Sequence, residues 1–105
     1  MCKYNAKYNA NRDQQDKVRQ FLIKDPVVSQ VLRARSVDVN ASDLGDILDA
    51  IIRELGMPRT LGDVRVGRDQ LDGLAANSLH DRWCKTNPVP LKDKSQVLEI
   101  LEMVV

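Results

Sequence analysis

The residues of this sequence best suited to chemistry lie close together, between positions 80 and 90. His80 is the only histidine, Asp81 follows it directly, and Cys84 lies four residues later. A metal centre needs several ligands that converge on one ion, whereas adjacent residues on a helix point in different directions. A Cys–His pair one turn apart can touch, but nucleophilic catalysis also needs a group that orients the base. We therefore predict no catalytic residue and no metal ligand in this chain, and interpret His80 as an ordinary residue at a helix end.

The glycines do not form a nucleotide-binding loop. Dinucleotide and phosphate sites need closely spaced glycines between a strand and a helix. The five glycines are instead spread along the chain, at positions 45, 56, 62, 67 and 73. We therefore predict no cofactor-binding residue here.

The segment Asp81–Pro90 stands out because it combines the only tryptophan, a cysteine and two prolines. Rigid loops of this kind can form one wall of a binding pocket. The alternative is a tryptophan that fills a gap between two helices, and composition alone favours that interpretation. If the segment forms such a wall, its candidate lining residues are Trp83, Cys84 and Asn87.

Composition limits the class of protein and its partners. Sixteen basic and fifteen acidic residues give a net charge of +1, without the basic surplus typical of nucleic-acid-binding domains. No apolar run reaches the roughly 20 residues of a membrane span, and no secretion signal is evident. Cys2 and Cys84 are expected to be free thiols in a reducing compartment. We predict a cytoplasmic protein without a nucleic-acid or membrane partner.

Hydrophobic periodicity predicts helices throughout and no substantial sheet. In the first half, we predict a helix over Arg12–Lys24 with Val18, Phe21 and Leu22 buried. Asp25 and Pro26 then start a second helix, although the valines that follow leave a strand as the competing interpretation. The clearest helix spans Ser42–Leu55, capped by Asn40 or Ser42 and stopped by Gly56 and Pro58. Its apolar stripe consists of Leu44, Ile47, Leu48, Ile51, Ile52 and Leu55.

The second half is predicted to begin with a capped turn at Thr60–Asp63. A helix follows over Arg68–His80, then an extended stretch over Lys85–Leu91, which holds two prolines. Asp93 and Gln96 signal a final helix with a wide buried face. That face comprises Val97, Leu98, Ile100, Leu101, Val104 and Val105. The predicted fold class is thus all-α, a compact bundle of five to six helices in one domain over residues 1–105.

Several of these segments, in this order and spacing, resemble the iron-containing alcohol dehydrogenase family, and within it the maleylacetate reductase-like branch. Asp46–Leu61 is similar to a helix followed by the family's L-G-x-P-x-x-L segment. Asp63-Val64 and Leu71–Ala75 resemble the next turn and helix, and Thr86–Pro90 with Val97–Leu101 resembles the closing N-P-R-P loop and last helix. The resemblance runs from about Tyr4 to the end of the chain.

This resemblance implies a two-part parent enzyme. An N-terminal α/β domain binds NAD(P), and a C-terminal all-helical domain of the dehydroquinate-synthase-like type holds iron or zinc through an aspartate and histidines. Those ligands lie upstream of Cys2–Asn5, which looks like the tail of the stretch after the last metal histidine. Trp83, Cys84 and Asn87 are implied to line the edge of the substrate cleft. Where the family often has arginine, this sequence has Val89, so no role is transferred to that position.

Two hypotheses for the function follow. In the first, the chain is the C-terminal segment of an NAD(P)- and metal-dependent dehydrogenase, inactive alone and partnered by the upstream nucleotide-binding domain. Both chain ends look cut, and loss of covering helices is expected to make the isolated chain self-associate. In the second, the chain is a free-standing helical interaction module, whose apolar stripes recruit partner helices.

Overall fold

Helices are the only regular secondary structure in this protein. The structure, a computed structural model, describes all 105 residues and contains seven α-helices and two short 3-10 helices. The predicted all-α class is therefore confirmed, although the chain has more helices than the five to six expected. The additional ones are short, Cys2–Lys7 and the single turn Trp83–Thr86, and short helices leave little periodicity to detect. None of the helices is long and apolar enough to cross a membrane.

By its internal contacts the chain divides into two units, Met1–Met57 and Pro58–Val105. The first contains α1 (Cys2–Lys7), α2 (Arg12–Lys24), α3 (Pro26–Ala34) and α4 (Leu44–Glu54). The second contains the 3-10 helices Gly62–Val64 and Arg68–Gln70, followed by α5 (Leu71–Ser78), α6 (Trp83–Thr86) and α7 (Lys94–Glu102). That residues 1–105 form a single domain of a longer protein stays a prediction.

The core of the first unit lies where α2, α3 and α4 meet. Leu32, Ile47 and Ala50 are buried at its centre, and six partly buried apolar residues pack around them: Leu22, Ile23, Val28, Val37, Val39 and Ile51. In the predicted α4 stripe, Leu44 and Ile47 are buried and Ile51 packs against the core, whereas Leu55 is exposed at the helix end. These aliphatic side chains supply the burial that holds the three helices together.

The outer face of α2 differs from the prediction. The helix has the predicted bounds, but the expectation that Val18 and Phe21 are buried is wrong: their exposed fractions are 47% and 75%. Polar side chains take the inward-facing positions instead. Gln15 donates to the Cys2 carbonyl at 2.9 Å, and Arg19 donates to the carbonyls of Ser42, at 2.8 Å, and Val39. Because these bonds satisfy backbone acceptors, they fix the rotation of α2 with Phe21 outside.

The helix termini show which sequence signals were sufficient. The Asp25 carboxylate accepts from the amides of Val27 and Val28, which confirms α3 as a helix rather than a strand. The prediction of Asn40 or Ser42 as the α4 cap is wrong, because Asp43 and Asp46 form a reciprocal capping box there. Gly56 has φ of 66°, the left-handed stop conformation that was predicted.

In the second unit, α5 and α7 pack against each other over the buried residues Leu71, Ala75, Leu91 and Val97. The turn at Thr60–Asp63 forms as predicted, and Asp93 with Gln96 caps α7. The predicted helix over Arg68–His80 is a 3-10 turn followed by α5, ending at Ser78. On the final helix Val97 is buried, whereas the predicted burial of Val104 is wrong, since it lies beyond the helix end and is exposed.

Candidate functional site

The segment Asp81–Leu91 is built by backbone hydrogen bonds around the single helical turn α6. Asp81 starts the turn, since its carboxylate accepts from the Trp83 amide at 2.9 Å. The chain then folds back, and the Leu91 amide donates to the Cys84 carbonyl at 2.8 Å. The prediction of an extended stretch over Lys85–Leu91 is therefore wrong at its start, because Lys85 and Thr86 belong to α6. Leu91 anchors the returning chain in the core of the second unit.

The structure places the three predicted cleft-edge residues on and just after α6. Trp83 is 61% exposed, so the interpretation that it fills a gap between helices is wrong. Its ring lies under the Arg82 guanidinium, 4.6 Å from the ring centroid, a cation–π contact that partly compensates for exposure of the indole. Asn87, which is half-buried, donates through its side-chain amide to the Val89 carbonyl at 2.7 Å and so fixes the start of the proline-containing stretch.

The Cys84 thiol is half-buried and donates to the Ser78 carbonyl at 3.1 Å. It therefore bonds to the end of α5 rather than to a histidine nitrogen. Both cysteines are free in the structure, as predicted. The bond joins α6 to α5, and its role in this chain is to hold the segment Asp81–Leu91 against the helix pair below it.

A cavity that sequence reasoning missed lies beside this segment. It has a volume of about 440 Å³ and is lined by Leu79, Lys85, Pro90, Leu91 and Lys92. None of Trp83, Cys84 and Asn87 lines it. A lining of apolar residues and two lysines suits an organic anion better than a cationic group. The sequence gives no sign that Lys85 and Lys92 line one cavity. They lie seven residues apart, and only the fold-back of the chain brings them to the same place.

The residues present do not fit a catalytic metal or a dinucleotide. No three of the histidine, cysteine, aspartate and glutamate side chains are grouped as metal ligands would be. The chain has no strand, so the strand–loop–helix cradle for a pyrophosphate is absent from it as well. No chemical step through a metal or a nicotinamide can therefore be assigned to residues 1–105.

A second cavity lies in the first unit, between α1, α2 and the start of α4. It has a volume of about 620 Å³, and its walls carry charged groups of both signs: Arg12, Asp13, Asp16, Arg19 and Asp43. Several of these groups are already occupied. Arg12 donates to the Ala6 carbonyl, and Arg19 lies 3.6 Å from the Asp16 carboxylate. The cavity is therefore a polar gap between packed segments of the first unit, in which several charged groups already have partners.

An ion pair joins α1 to the beginning of α4. The Lys3 ammonium donates to the Asp46 carboxylate at 2.7 Å. This hydrogen bond lowers the pKa of Asp46, as does a bond from the Asp43 backbone, and it raises the pKa of Lys3. Because both side chains are about half exposed, the pair adds little free energy of folding, and its main effect is to fix where α1 lies on α4.

Comparison with known proteins shows relatives that are named dehydrogenases. The chain is 44% identical over 75 residues to dehydrogenase ALT3 of Alternaria alternata, a match that covers 70% of this chain and 19% of that protein. It is 36% identical over 77 residues to dehydrogenase FUM7 of Gibberella moniliformis, covering 73% of this chain and 18% of that protein. No family model and no solved structure matches. The chain thus spans about a fifth of the length of the curated relatives it matches, and its similarity to them fits an oxidoreductase family.

Proposed function

We propose that this chain is the C-terminal helical segment of an NAD(P)- and metal-dependent oxidoreductase of the iron-containing alcohol dehydrogenase family, maleylacetate reductase-like branch. The observation that carries the proposal is the 44% identity to dehydrogenase ALT3 over 70% of the chain. The all-helical fold is the one expected for the metal-holding half of such an enzyme. We further propose that the protein acts in the cytoplasm.

The parent reaction would be hydride transfer between a nicotinamide and an alcohol or carbonyl, with iron or zinc polarising the oxygen. Both groups would be held by residues upstream of this segment, in the nucleotide-binding domain and in the earlier helices. The chain alone would then be inactive. Its contribution is one wall of the cleft, provided by the segment that carries Trp83, Cys84 and Asn87.

The geometry of this wall suits positioning better than proton transfer. Three hydrogen bonds fix the segment: from the Cys84 thiol to Ser78, from the Leu91 amide to Cys84, and from the Asn87 side chain to Val89. A fixed wall lowers the entropy that a substrate loses when it is oriented. The exposed indole of Trp83 is the group in this wall with the most apolar surface to offer a substrate.

A chimera tests the proposal. The matched segment of dehydrogenase ALT3 is replaced by this chain, and oxidation of NADH and NADPH is followed with the substrate of the unmodified enzyme. We expect the chimera to fold and to turn over. Asn87→Ala should raise KM more than it lowers kcat, whereas Asn77→Ala, on the exposed side of α5, should leave both unchanged. A folded chimera without nicotinamide-linked turnover would contradict the proposal.

Metal content of the isolated chain gives an independent check. The chain is stripped with a chelator, refilled with iron or zinc, and analysed by mass spectrometry. We expect no stoichiometric metal, because the ligands are proposed to lie upstream. About one tightly held ion per chain would refute this assignment and direct attention to His80 and Cys84.

A further inference from the structure

One helix of the first unit carries an apolar surface that nothing in this unit covers. Val18 and Phe21 lie one turn apart on α2, and Lys17 and Lys24 lie one turn to either side of Phe21. We call these four residues the α2 patch. Phe21 is the only phenylalanine of the sequence, and at 75% exposure it is the most exposed of its large apolar residues.

The exposure of the α2 patch is enforced by the opposite side of the helix. Leu22 and Ile23 pack on the core of the first unit, and Gln15 and Arg19 bond to backbone carbonyls of neighbouring segments. Turning α2 to bury Phe21 would break these hydrogen bonds and expose the two aliphatic residues. Any segment that covers the α2 patch must therefore come from outside the first unit.

The charges of the α2 patch indicate the chemistry of its cover. The side-chain ammonium groups of Lys17 and Lys24 form no ion pair and no hydrogen bond in the structure. A partner with carboxylates at its edge would pair with both ammonium groups, whereas a partner edged with lysine or arginine would be repelled. The cover expected here is thus an apolar helix face bordered by aspartate or glutamate.

The size of the α2 patch favours a tethered partner over a second copy of the chain. Its apolar surface is on the order of 200 Å², against roughly 800 Å² on each side of a stable interface between separate proteins. A segment of the same polypeptide needs less surface, because tethering gives an effective concentration in the millimolar range. The curated relatives are about four times the length of this chain, so such a segment is available in them.

We propose that the α2 patch is an intramolecular docking surface for an acidic-edged apolar helix in another part of the same polypeptide. The choice of source rests on the proposed function, since it assumes the longer dehydrogenase chain. Phe21 and Val18 supply the apolar centre, and Lys17 and Lys24 set the orientation and select the charge of the partner.

The docking chemistry is tested on the 105-residue chain with two synthetic helical peptides. Both peptides carry the same row of leucines along one face. One carries glutamate beside the leucines and the other carries lysine at the same positions. Amide chemical shifts are followed up to millimolar peptide, the concentration range that tethering would provide. We expect saturable shifts on α2 with the glutamate peptide, and binding of the lysine peptide at least about fivefold weaker at low salt.

Three variants make the result specific. Phe21→Asp should abolish the shifts, and because Phe21 is exposed the variant should fold. The double variant Lys17→Glu/Lys24→Glu should reverse the preference between the two peptides. Val64→Asp, at an exposed apolar residue of the second unit, should change nothing. Absence of saturable shifts on α2, or equal binding of both peptides, would overturn the proposal.

The source of the partner is tested separately, by hydrogen exchange of α2 in the ALT3 chimera and in the isolated chain. Slower exchange of α2 in the chimera is expected. A chimera that turns over without added protection of α2 would refute the docking proposal and leave the proposed function standing. A folded but inactive chimera that still prefers the glutamate peptide would contradict the proposed function and leave standing only the preference of the α2 patch for an acidic-edged helix. A dimer of the isolated chain that Phe21→Asp dissociates would show that a second copy occupies the patch, against the proposal.

Discussion

Replacing Leu91 by alanine should release the segment that holds the Cys84 thiol. Leu91 is buried in the core of the second unit, and its amide donates to the Cys84 carbonyl at 2.8 Å. Truncation of a buried leucine costs about 2–5 kcal/mol, and even about 2 kcal/mol corresponds to a roughly 30-fold change in an equilibrium constant. Because the lost contacts lie where the chain folds back, we expect Leu91→Ala to raise the equilibrium constant for local opening of the segment Asp81–Leu91 by this factor.

The assay is the rate at which a bulky thiol reagent labels Cys84 in a Cys2→Ser background. If labelling requires the segment to open, its rate follows the population of the open form. Leu91→Ala should then raise the rate about 30-fold or more. Lys92→Ala, next to Leu91 but exposed, is the matched control and should leave the rate unchanged. Equal labelling rates for the parent and Leu91→Ala would refute the reasoning, since the thiol would react without any opening of its surroundings.

Two further predictions concern the first unit. Ile47→Ala should lower the free energy of unfolding of the first unit by about 2–5 kcal/mol, and Ile47→Val should lower it by about 0.5–1.5 kcal/mol. Both are measured by urea unfolding, followed through the near-ultraviolet signal of the tyrosines. A smaller loss for alanine than for valine would contradict the placement of Ile47 in the core. The ion pair of Lys3 and Asp46 should add up to about 1 kcal/mol between its two titrations. Folding lowers the pKa of Asp46 and raises that of Lys3, so this contribution is lost as pH falls through the folded pKa of Asp46 or rises through the folded pKa of Lys3. Lys3→Gln should remove both changes from the pH profile of stability, and Lys92→Gln should retain them.

The fold was largely predictable where a local signal and burial agree. Helix α4, the Asp25 cap and the Asp93–Gln96 capping box all formed as expected. In each case the residues that decide the structure lie within one or two turns of one another, so that their spacing is visible in the sequence. The choice of α4 cap failed because Asn40, Ser42 and Asp43 are all good caps, and only the reciprocal bond of Asp46 selects among them.

The rotation of α2 could not be predicted because long-range hydrogen bonds decide it. Apolar periodicity favours burial of Val18 and Phe21, but Gln15 and Arg19 face inward to reach the carbonyls of Cys2, Val39 and Ser42. Those carbonyls lie 13 to 23 residues away along the sequence. The cavity beside Leu91 was also missed, because its two lysines line the same cavity only after the chain has folded back.

The exposure of the phenylalanine and the tryptophan fits the docking surface and the cleft wall that are proposed above. The sequence has one phenylalanine and one tryptophan, and both are mostly exposed, although aromatic side chains usually contribute most to cores and interfaces. Each has cationic neighbours: Lys17 and Lys24 beside Phe21, and Arg82 over the ring of Trp83. A core needs no such charges, whereas a surface that must select a partner or a substrate does. We therefore expect Phe21→Asp and Trp83→Asp to leave the stability of the isolated chain nearly unchanged and to impair, respectively, docking and turnover in the chimera.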